Sequence, residues 1–333
     1  MPIIFILSLG LIGCSKLPSD EVLNQNQAAT SAASQKAYIN YINAHKEGDS
    51  ITGEDIIFYH EEDIDLDGNK EAIIALGIQD DEDLLSSYVS DIYVLKNLGN
   101  DIKQIGDNLA LDSGYGVYDV KIINLQNKPQ KYIYFGLTNG FLRGFKILEL
   151  RGEDLDQICY SASGTGSGDD ELKDFNQDGQ YDGYVQYRRS YDVLYFTTER
   201  TYVYKDNEFV LDDTWVDVPE YPSDPKEVIM QYLSLSLLED EKSEEVTERL
   251  TKIFPEHSTQ NNSENPIVPE SVMLDTFMAI GEGLNIDLTD IGEGCMEGTI
   301  SYTDEEGMKH QYYILLSTET IDRRWKINYI EKM

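Results

Sequence analysis

Two acidic turns with the same spacing constrain this chain more than any other part of its sequence. Residues 63–71 read DIDLDGNKE and residues 174–182 read DFNQDGQYD, so both follow the pattern D-x-[DN]-x-[DN]-G-x-x-[DE]. The glycine at the sixth position tolerates backbone angles that a β-carbon disfavours. The pattern therefore predicts a sharp turn that gathers acidic and amide side chains around one point.

Oxygen atoms gathered in this way are suited to a hard cation. Calcium takes about 6–8 oxygen ligands at about 2.3–2.6 Å, and side chains at positions 1, 3, 5 and 9 can supply them together with the main-chain carbonyl at position 7. We therefore predict two calcium sites. Their ligands are expected to be Asp63, Asp65, Asp67, Asn69 and Glu71 in the first loop, and Asp174, Asn176, Asp178, Gln180 and Asp182 in the second. Because each set comes from one short loop, the expected role of the metal is structural.

The same residues allow two alternatives to these calcium sites. An EF-hand loop needs a bidentate glutamate at position 12, but position 12 is Ile74 in the first loop and Val185 in the second, where strand-like runs begin. The EF-hand is therefore excluded. An ordinary solvated turn rich in aspartate and glycine remains the alternative to a metal site.

A degenerate copy of the pattern lies between the two acidic loops. Residues 122–136 align with residues 63–77 at an offset of 59 residues. Amides replace three of the carboxylates and an asparagine replaces the turn glycine; the residues concerned are Asn124, Gln126, Gln130 and Asn127. We therefore expect three repeats of roughly 50 to 60 residues, a period typical of propeller or array architectures.

The two acidic loops, each followed by a strand-like run, resemble the metal loops of FG-GAP or VCBS-type repeats. These repeats are the calcium-binding blades of integrin-like β-propellers and are common in bacterial surface proteins. The resemblance covers roughly residues 50–215 and implies a mainly β N-terminal domain of three propeller-like blades. A closed propeller typically has about four or more blades, so closure is left open.

The charge of the chain excludes one class of partner. Its 333 residues include 62 acidic and 26 basic side chains, which gives a net charge of −36. Phosphate backbones are bound by lysine and arginine, so we expect no nucleic-acid partner. The hydrophobic fraction of 41% indicates a folded protein, and the 23 tyrosines favour β structure.

The N-terminus resembles that of an exported bacterial lipoprotein. Residues 3–13 form an apolar run that is too short for a membrane-spanning helix of about 20 residues but is typical of an export signal. The sequence LIGC at residues 11–14 resembles the lipobox. This resemblance implies that residues 1–13 are removed as a signal peptide and that Cys14 carries lipid and anchors the protein to a membrane. A buried N-terminal strand is the alternative.

A polar segment follows the expected anchor. Residues 14–35 are rich in Ser, Asn, Gln and Ala, and they bury too little apolar surface to offset the entropy of ordering. We therefore expect a flexible tether, then a short helix at 35–44 that opens a β-rich domain over 36–220.

A second domain is predicted after residue 220. Pro219, Pro222 and Pro225 mark the boundary, and Asp224 followed by Pro225 predicts a helix start. Further helices are expected at 244–254 and 270–280, and strands at 298–303, 310–317 and 324–330. This order of elements indicates a small α+β domain over 221–333, similar in element order to cystatin-like or nuclear-transport-factor-like domains.

The remaining residues do not indicate catalysis. The four histidines are scattered, and none has the spacing of a metal site or of a nucleophile and its base. Two further cysteines, Cys159 and Cys295, are expected to be buried free thiols, with a disulfide between them as the alternative.

From these observations together we predict a surface-anchored, non-catalytic binding or scaffold module with an unidentified protein or glycan partner. The alternatives are an extracellular hydrolase, directed at carbohydrates, with an unrecognised carboxylate active site, and a regulatory partner of an envelope complex.

Overall fold

The described part of the chain begins at the first helix. A computed structural model describes residues 20–333 except 47, 80–87, 100, 108, 111–114, 163–166, 190–195, 239–240, 242, 256–283, 304–306 and 320–322, and for residues 20–32 it describes the backbone only. The expected signal peptide, Cys14 and the predicted helix at 270–280 therefore lie outside the described residues. Within the described residues, no helix combines the length and the apolar character needed to cross a bilayer.

Three α-helices, a short 3-10 helix (Gly53–Asp55) and sixteen strands make up the described regular structure, which is mainly β. The helices are α1 (Asp20–His45), α2 (Pro225–Ser236) and α3 (Glu244–Ile253). The first eight strands are β1 (Ile56–Glu62), β2 (Lys70–Ile78), β3 (Tyr88–Asn97), β4 (Ile102–Ile105), β5 (Gly116–Asn124), β6 (Lys131–Thr138), β7 (Leu142–Arg151) and β8 (Asp154–Ser161). The others are β9 (Ser167–Lys173), β10 (Gly183–Arg189), β11 (Thr197–Lys205), β12 (Glu208–Val216), β13 (Asn285–Gly292), β14 (Cys295–Thr303), β15 (Lys309–Thr318) and β16 (Trp325–Lys332).

Strands that follow one another in the chain pair with one another. Strands β1 to β4 form one antiparallel sheet in sequence order. Strands β5 to β8 and β9 to β12 are also paired in sequence order, and a short parallel contact between β7 and β9 joins them in one eight-stranded sheet. No closed propeller is detected among the described residues.

Strand β2 is buried on both faces. Ile73 and Ala75 face a core shared with strands β3, β5 and β6, whereas Ala72, Ile74 and Leu76 face a second core. Side chains alternate across a strand, so each core takes every other residue. This explains why the run after the first acidic loop is continuously apolar, and the prediction of a strand there is confirmed.

Helix α1 covers the second of these cores. Tyr38 and Ile42 are both 1% exposed and lie one helical turn apart, so both side chains meet the sheet. The predicted short helix at 35–44 is the end of a longer helix that begins at Asp20. The backbone of residues 20–35, which we predicted to be flexible, is therefore helical, and its Ala and Gln residues are good helix formers.

The C-terminal part places two helices against a third sheet. Asp224 begins α2 as predicted, because its carboxylate accepts a hydrogen bond of 2.7 Å from the Lys226 amide. The sheet runs β13-β14-β15-β16, and the sequence analysis missed β13, whose buried apolar content is limited to Ile286. The core of this part also includes Phe196 and Val216, which lie before the predicted boundary near residue 220.

A partly buried ion pair joins the large sheet to the segment between α2 and α3. The guanidinium of Arg200 on β11 donates to both carboxylate oxygens of Glu241, at 2.8 and 2.9 Å. The hydroxyl of Thr214 on β12 donates to the same carboxylate at 2.7 Å. A two-pronged arginine–carboxylate pair fixes orientation as well as distance, so this contact sets how α2 and α3 meet the end of the large sheet.

The two cysteines in the described region are both free. Cys159 is buried on β8, and burial, with a smaller contribution from the charge of Asp170, raises the pKa of its thiol to about 12. Cys295 at the start of β14 is partly exposed. The expectation of free thiols is confirmed, but the expectation that both are buried is wrong for Cys295.

The burial and the raised pKa of Cys159 predict that the two thiols react unequally. The thiolate is the reactive form, and the raised pKa keeps the Cys159 proton in place until the pH approaches about 12. In a full chain carrying Cys14→Ser, we expect an aromatic disulfide reagent at pH 8 to modify one thiol when the protein is folded and two in denaturant. Cys295→Ser should remove the fast reaction. Two thiols reacting at the same rate in the folded protein would contradict the assignment.

Candidate metal centre

Each acidic loop joins two neighbouring antiparallel strands. The first loop connects β1 to β2, and the second connects β9 to β10. The degenerate middle segment connects β5 to β6 in the same way. All three segments therefore lie at strand-to-strand connections, and the ninth residue of the first, Glu71, is already part of β2.

The sixth position turns left-handed in all three segments. The backbone angle φ is 92° at Gly68, 88° at Gly179 and 60° at Asn127. Glycine adopts this region freely, and asparagine is among the few other residues that tolerate it. The predicted turn is therefore present in both acidic loops, and the glycine-to-asparagine replacement preserves it in the middle segment.

The two acidic loops share one frame of hydrogen bonds. In each loop the amide at position 6 donates to the carboxylate at position 1, the amide at position 5 donates to the side chain at position 3, and the amide at position 7 donates to the carboxylate at position 5. The donor–acceptor distances in the first loop are 3.0 Å for Gly68 to Asp63, 3.2 Å for Asp67 to Asp65 and 2.9 Å for Asn69 to Asp67. In the second they are 2.8 Å for Gly179 to Asp174, 2.9 Å for Asp178 to Asn176 and 2.8 Å for Gln180 to Asp178.

The acid at position 9 closes each loop onto its own start. Glu71 accepts a hydrogen bond of 3.0 Å from the Ile64 amide, and Asp182 accepts one of 2.8 Å from the Phe175 amide. One oxygen of each acid is thereby engaged with the main chain. The loop geometry is thus the same in both copies, although the two sequences share few residues outside the motif positions.

Three of the predicted first-loop ligands are close together. Carboxylate oxygens of Asp63, Asp65 and Glu71 lie within 4.8 Å of one another. The Glu71 side chain is completely buried, and Asp63 Oδ1 is buried without a hydrogen-bond partner. Carboxylate oxygens at these separations suit a calcium ion.

A lysine that the sequence analysis missed lies among these carboxylates. The ammonium of Lys96, at the end of β3, is 2.6 Å from Asp67 Oδ2 and 3.1 Å from Asp65 Oδ2 and from Glu71 Oε1. Lys96 stands directly opposite Glu71 in the β2–β3 pairing. The register that brings Lys96 to Glu71 is set by the pairing of β2 with β3 and is not visible in the sequence.

The pKa shifts follow from burial and from these contacts. Burial alone would lower the pKa of Lys96, but hydrogen bonds to Asp67, Glu71 and Asp65 outweigh it and raise that pKa. The Lys96 hydrogen bond lowers the pKa of Asp67, whereas burial raises the pKa of Glu71 despite the same partner. The opposite directions reflect exposure, because the Asp67 side chain reaches solvent and that of Glu71 does not.

Among the residues that the structure describes, none places such a cation in the second loop. Within the described ranges, no lysine or arginine forms an ion pair with Asp174, Asp178 or Asp182, and the first-loop group is the only close set of three acids. The residue opposite Asp182 is Tyr204, whose amide donates to the Asp182 carbonyl at 2.7 Å. The side-chain oxygen of Gln180, Oε1, accepts a hydrogen bond of 3.1 Å from the main-chain amide of Asn127, so the second loop also touches the middle segment.

The middle segment replaces charge with amides. Gln130, at the ninth position, donates to the Glu149 carboxylate and to the Tyr132 hydroxyl, each at 2.9 Å. Its side chain therefore serves as a hydrogen-bond donor, a role that a carboxylate cannot fill.

Among known proteins, no family model and no curated protein matches this chain. What the molecule does is therefore inferred from its own residues.

The left-handed turn makes a prediction about Gly179. A β-carbon added there has no atom within 4 Å, so the penalty of Gly179→Ala comes from the backbone alone, about 1–2 kcal/mol. We expect thermal unfolding of Gly179→Ala at a lower temperature than wild type, with a smaller loss for Gly179→Asn. Gly53→Ala, also in open space but without a left-handed angle, is the control. Equal losses for the alanine and asparagine variants would contradict the backbone explanation.

Proposed function

We propose that this protein is a surface-anchored, calcium-binding lipoprotein that acts as a non-catalytic binding or scaffold module. The observation that carries the proposal is the common hydrogen-bond frame of the two acidic loops. Independent loops that merely solvate acidic side chains have no reason to repeat four contacts at the same positions. A loop built to present oxygens to one cation does.

The strand order supports propeller-like repeats. Strands β1–β4, β5–β8 and β9–β12 are three successive sets of four, and in each set the loop or its degenerate copy lies between the first and second strands. This arrangement agrees with the resemblance to FG-GAP or VCBS-type blades. We propose that the three sets are three such blades, of which the middle one has lost its metal site.

Calcium would relieve repulsion inside a loop. In the second loop Asp174, Asp178 and Asp182 share one tight turn, and their expected co-ligands are Asn176 and the main-chain carbonyl of Gln180. The matching first-loop set is Asp63, Asp65, Asp67, the carbonyl of Asn69, and Glu71. With a dissociation constant of about 0.1–1 mM, typical of extracellular sites, one site would add on the order of 1 kcal/mol at millimolar calcium.

The anchor and the partner complete the proposal. Lipid on Cys14 would hold the protein on the extracytoplasmic face of the membrane, and α1 would separate the β-rich part from the surface. The net charge of −36 disfavours nucleic acid and leaves a protein or a glycan as the partner class. The C-terminal α2, α3 and their sheet would carry or support the partner surface.

Calcium dependence is tested most simply by thermal unfolding. For the full chain we expect millimolar calcium to raise the melting temperature by about 2–4 °C, relative to a chelator. Asp178→Ala should remove the second loop's share of this rise, because it removes a ligand and the hydrogen-bond acceptor of the Gln180 main-chain amide. Asp212→Ala, which changes an exposed acid on β12, should retain it. A rise of equal size in both variants would show that calcium acts on the general charge and not on the loop.

The lipid anchor is tested separately by fractionation. We expect the wild-type protein to sediment with membranes and to be released by detergent, because acyl chains partition into the bilayer. Cys14→Ser should appear in the soluble fraction, and Cys159→Ser should not. Membrane retention of the Cys14→Ser protein would refute the anchor.

A further inference from the structure

We propose that the ammonium of Lys96 is the resident cation of the first loop. The first loop is then closed without metal, and calcium binds the second loop alone. This inference rests on the proposed calcium function and divides it unequally between two loops that share one motif.

The position of the ammonium supports this assignment. It lies 2.6 Å from Asp67 and 3.1 Å from Asp65 and Glu71, so it faces three of the four carboxylates that the first loop offers to a metal. The ammonium donates a hydrogen bond to Asp65 Oδ2, and it forms ion pairs with Asp67 and Glu71. A calcium ion coordinated by the same oxygens would need the space that the ammonium occupies.

Burial holds the lysine in place. Its side chain is 5% exposed, and its ammonium also lies 3.5 Å from the Gly152 carbonyl. The Gly152 amide in turn donates to Asp65 at 3.3 Å, so the turn after β7 covers this side of the loop. Calcium would have to expel a paired cation from a covered position, which strongly disfavours the exchange.

The strand register explains why the second loop differs. Glu71 and Asp182 are both the ninth residue of their loops, and the residue opposite each is Lys96 in the first case and Tyr204 in the second. The Tyr204 ring packs against Phe209, with ring centroids 4.9 Å apart. Tyr204 carries no positive charge, so it does not neutralise the three aspartates of the second loop, and a bound cation would.

Counting bound calcium tests the inference directly. Equilibrium dialysis of the full chain against calcium should give one site per wild-type molecule. Asp178→Ala should weaken that site by at least about tenfold, whereas Asp67→Ala should change it by less than about twofold. These measurements leave Lys96 itself unchanged, so they do not depend on the folding of a lysine variant.

Replacing the lysine should create the missing site. Lys96→Met keeps an unbranched side chain but removes the charge, and we expect it to bind two calcium ions and to gain more in melting temperature from calcium than wild type does. The control is Lys103→Met, which removes an exposed lysine of β4 that pairs with Glu153. This variant should still bind one ion. If Lys96→Met folds only when calcium is present, that dependence also supports the inference.

The possible failures are distinguishable. Two calcium ions per wild-type molecule, with one lost in Asp67→Ala, would overturn the role of Lys96 and leave the calcium function intact. One ion in both wild type and a folded Lys96→Met would overturn it as well. No calcium binding by wild type or by any variant would refute the proposed calcium function, and the inference with it.

Discussion

In the first acidic loop the ammonium of Lys96 lies among Asp65, Asp67 and Glu71. This contact offsets the repulsion between carboxylates, which is the main electrostatic constraint on the loops of the β-rich part. Carboxylates confined to one tight turn repel one another unless a cation or a hydrogen-bond donor stands among them. The pairing of β2 with β3 supplies the cation here, so the loop geometry and the register of the first sheet depend on the same contact. Strand β2, which is buried on both faces, comes directly after that loop in the chain.

The three strand-to-strand connections resolve the same constraint in different ways. The first places a lysine among its acids, the middle one replaces acids with amides such as Gln130, and the second keeps its acids, for which we propose calcium. The left-handed turn at the sixth position is common to all three. The backbone frame is therefore independent of the means of neutralisation, which allows one loop to depend on metal while its neighbours do not.

The sequence predicts what is local and misses what depends on pairing. The turn at Gly68 and Gly179, the strands after both loops and the cap at Asp224 follow from neighbouring residues, and they are confirmed. The contact of Lys96 with Glu71 depends on a register set across more than 20 residues of chain, and no local pattern reports it. Strand β13 was missed because Asp287, Asp290 and Gly292 are residue types that are depleted in strands. The extension of α1 to Asp20 was missed because a polar composition was taken to indicate a flexible tether.

A crystal structure of the full chain grown in millimolar calcium would show which loop holds a metal ion. We expect a cation in the second loop, about 2.3–2.6 Å from oxygens of Asp174, Asn176 and Asp178. In the first loop we expect the Lys96 ammonium and no metal. A calcium ion in the first loop with Lys96 turned away, or a second loop without metal at saturating calcium, would contradict the assignment of Lys96 as the cation of the first loop.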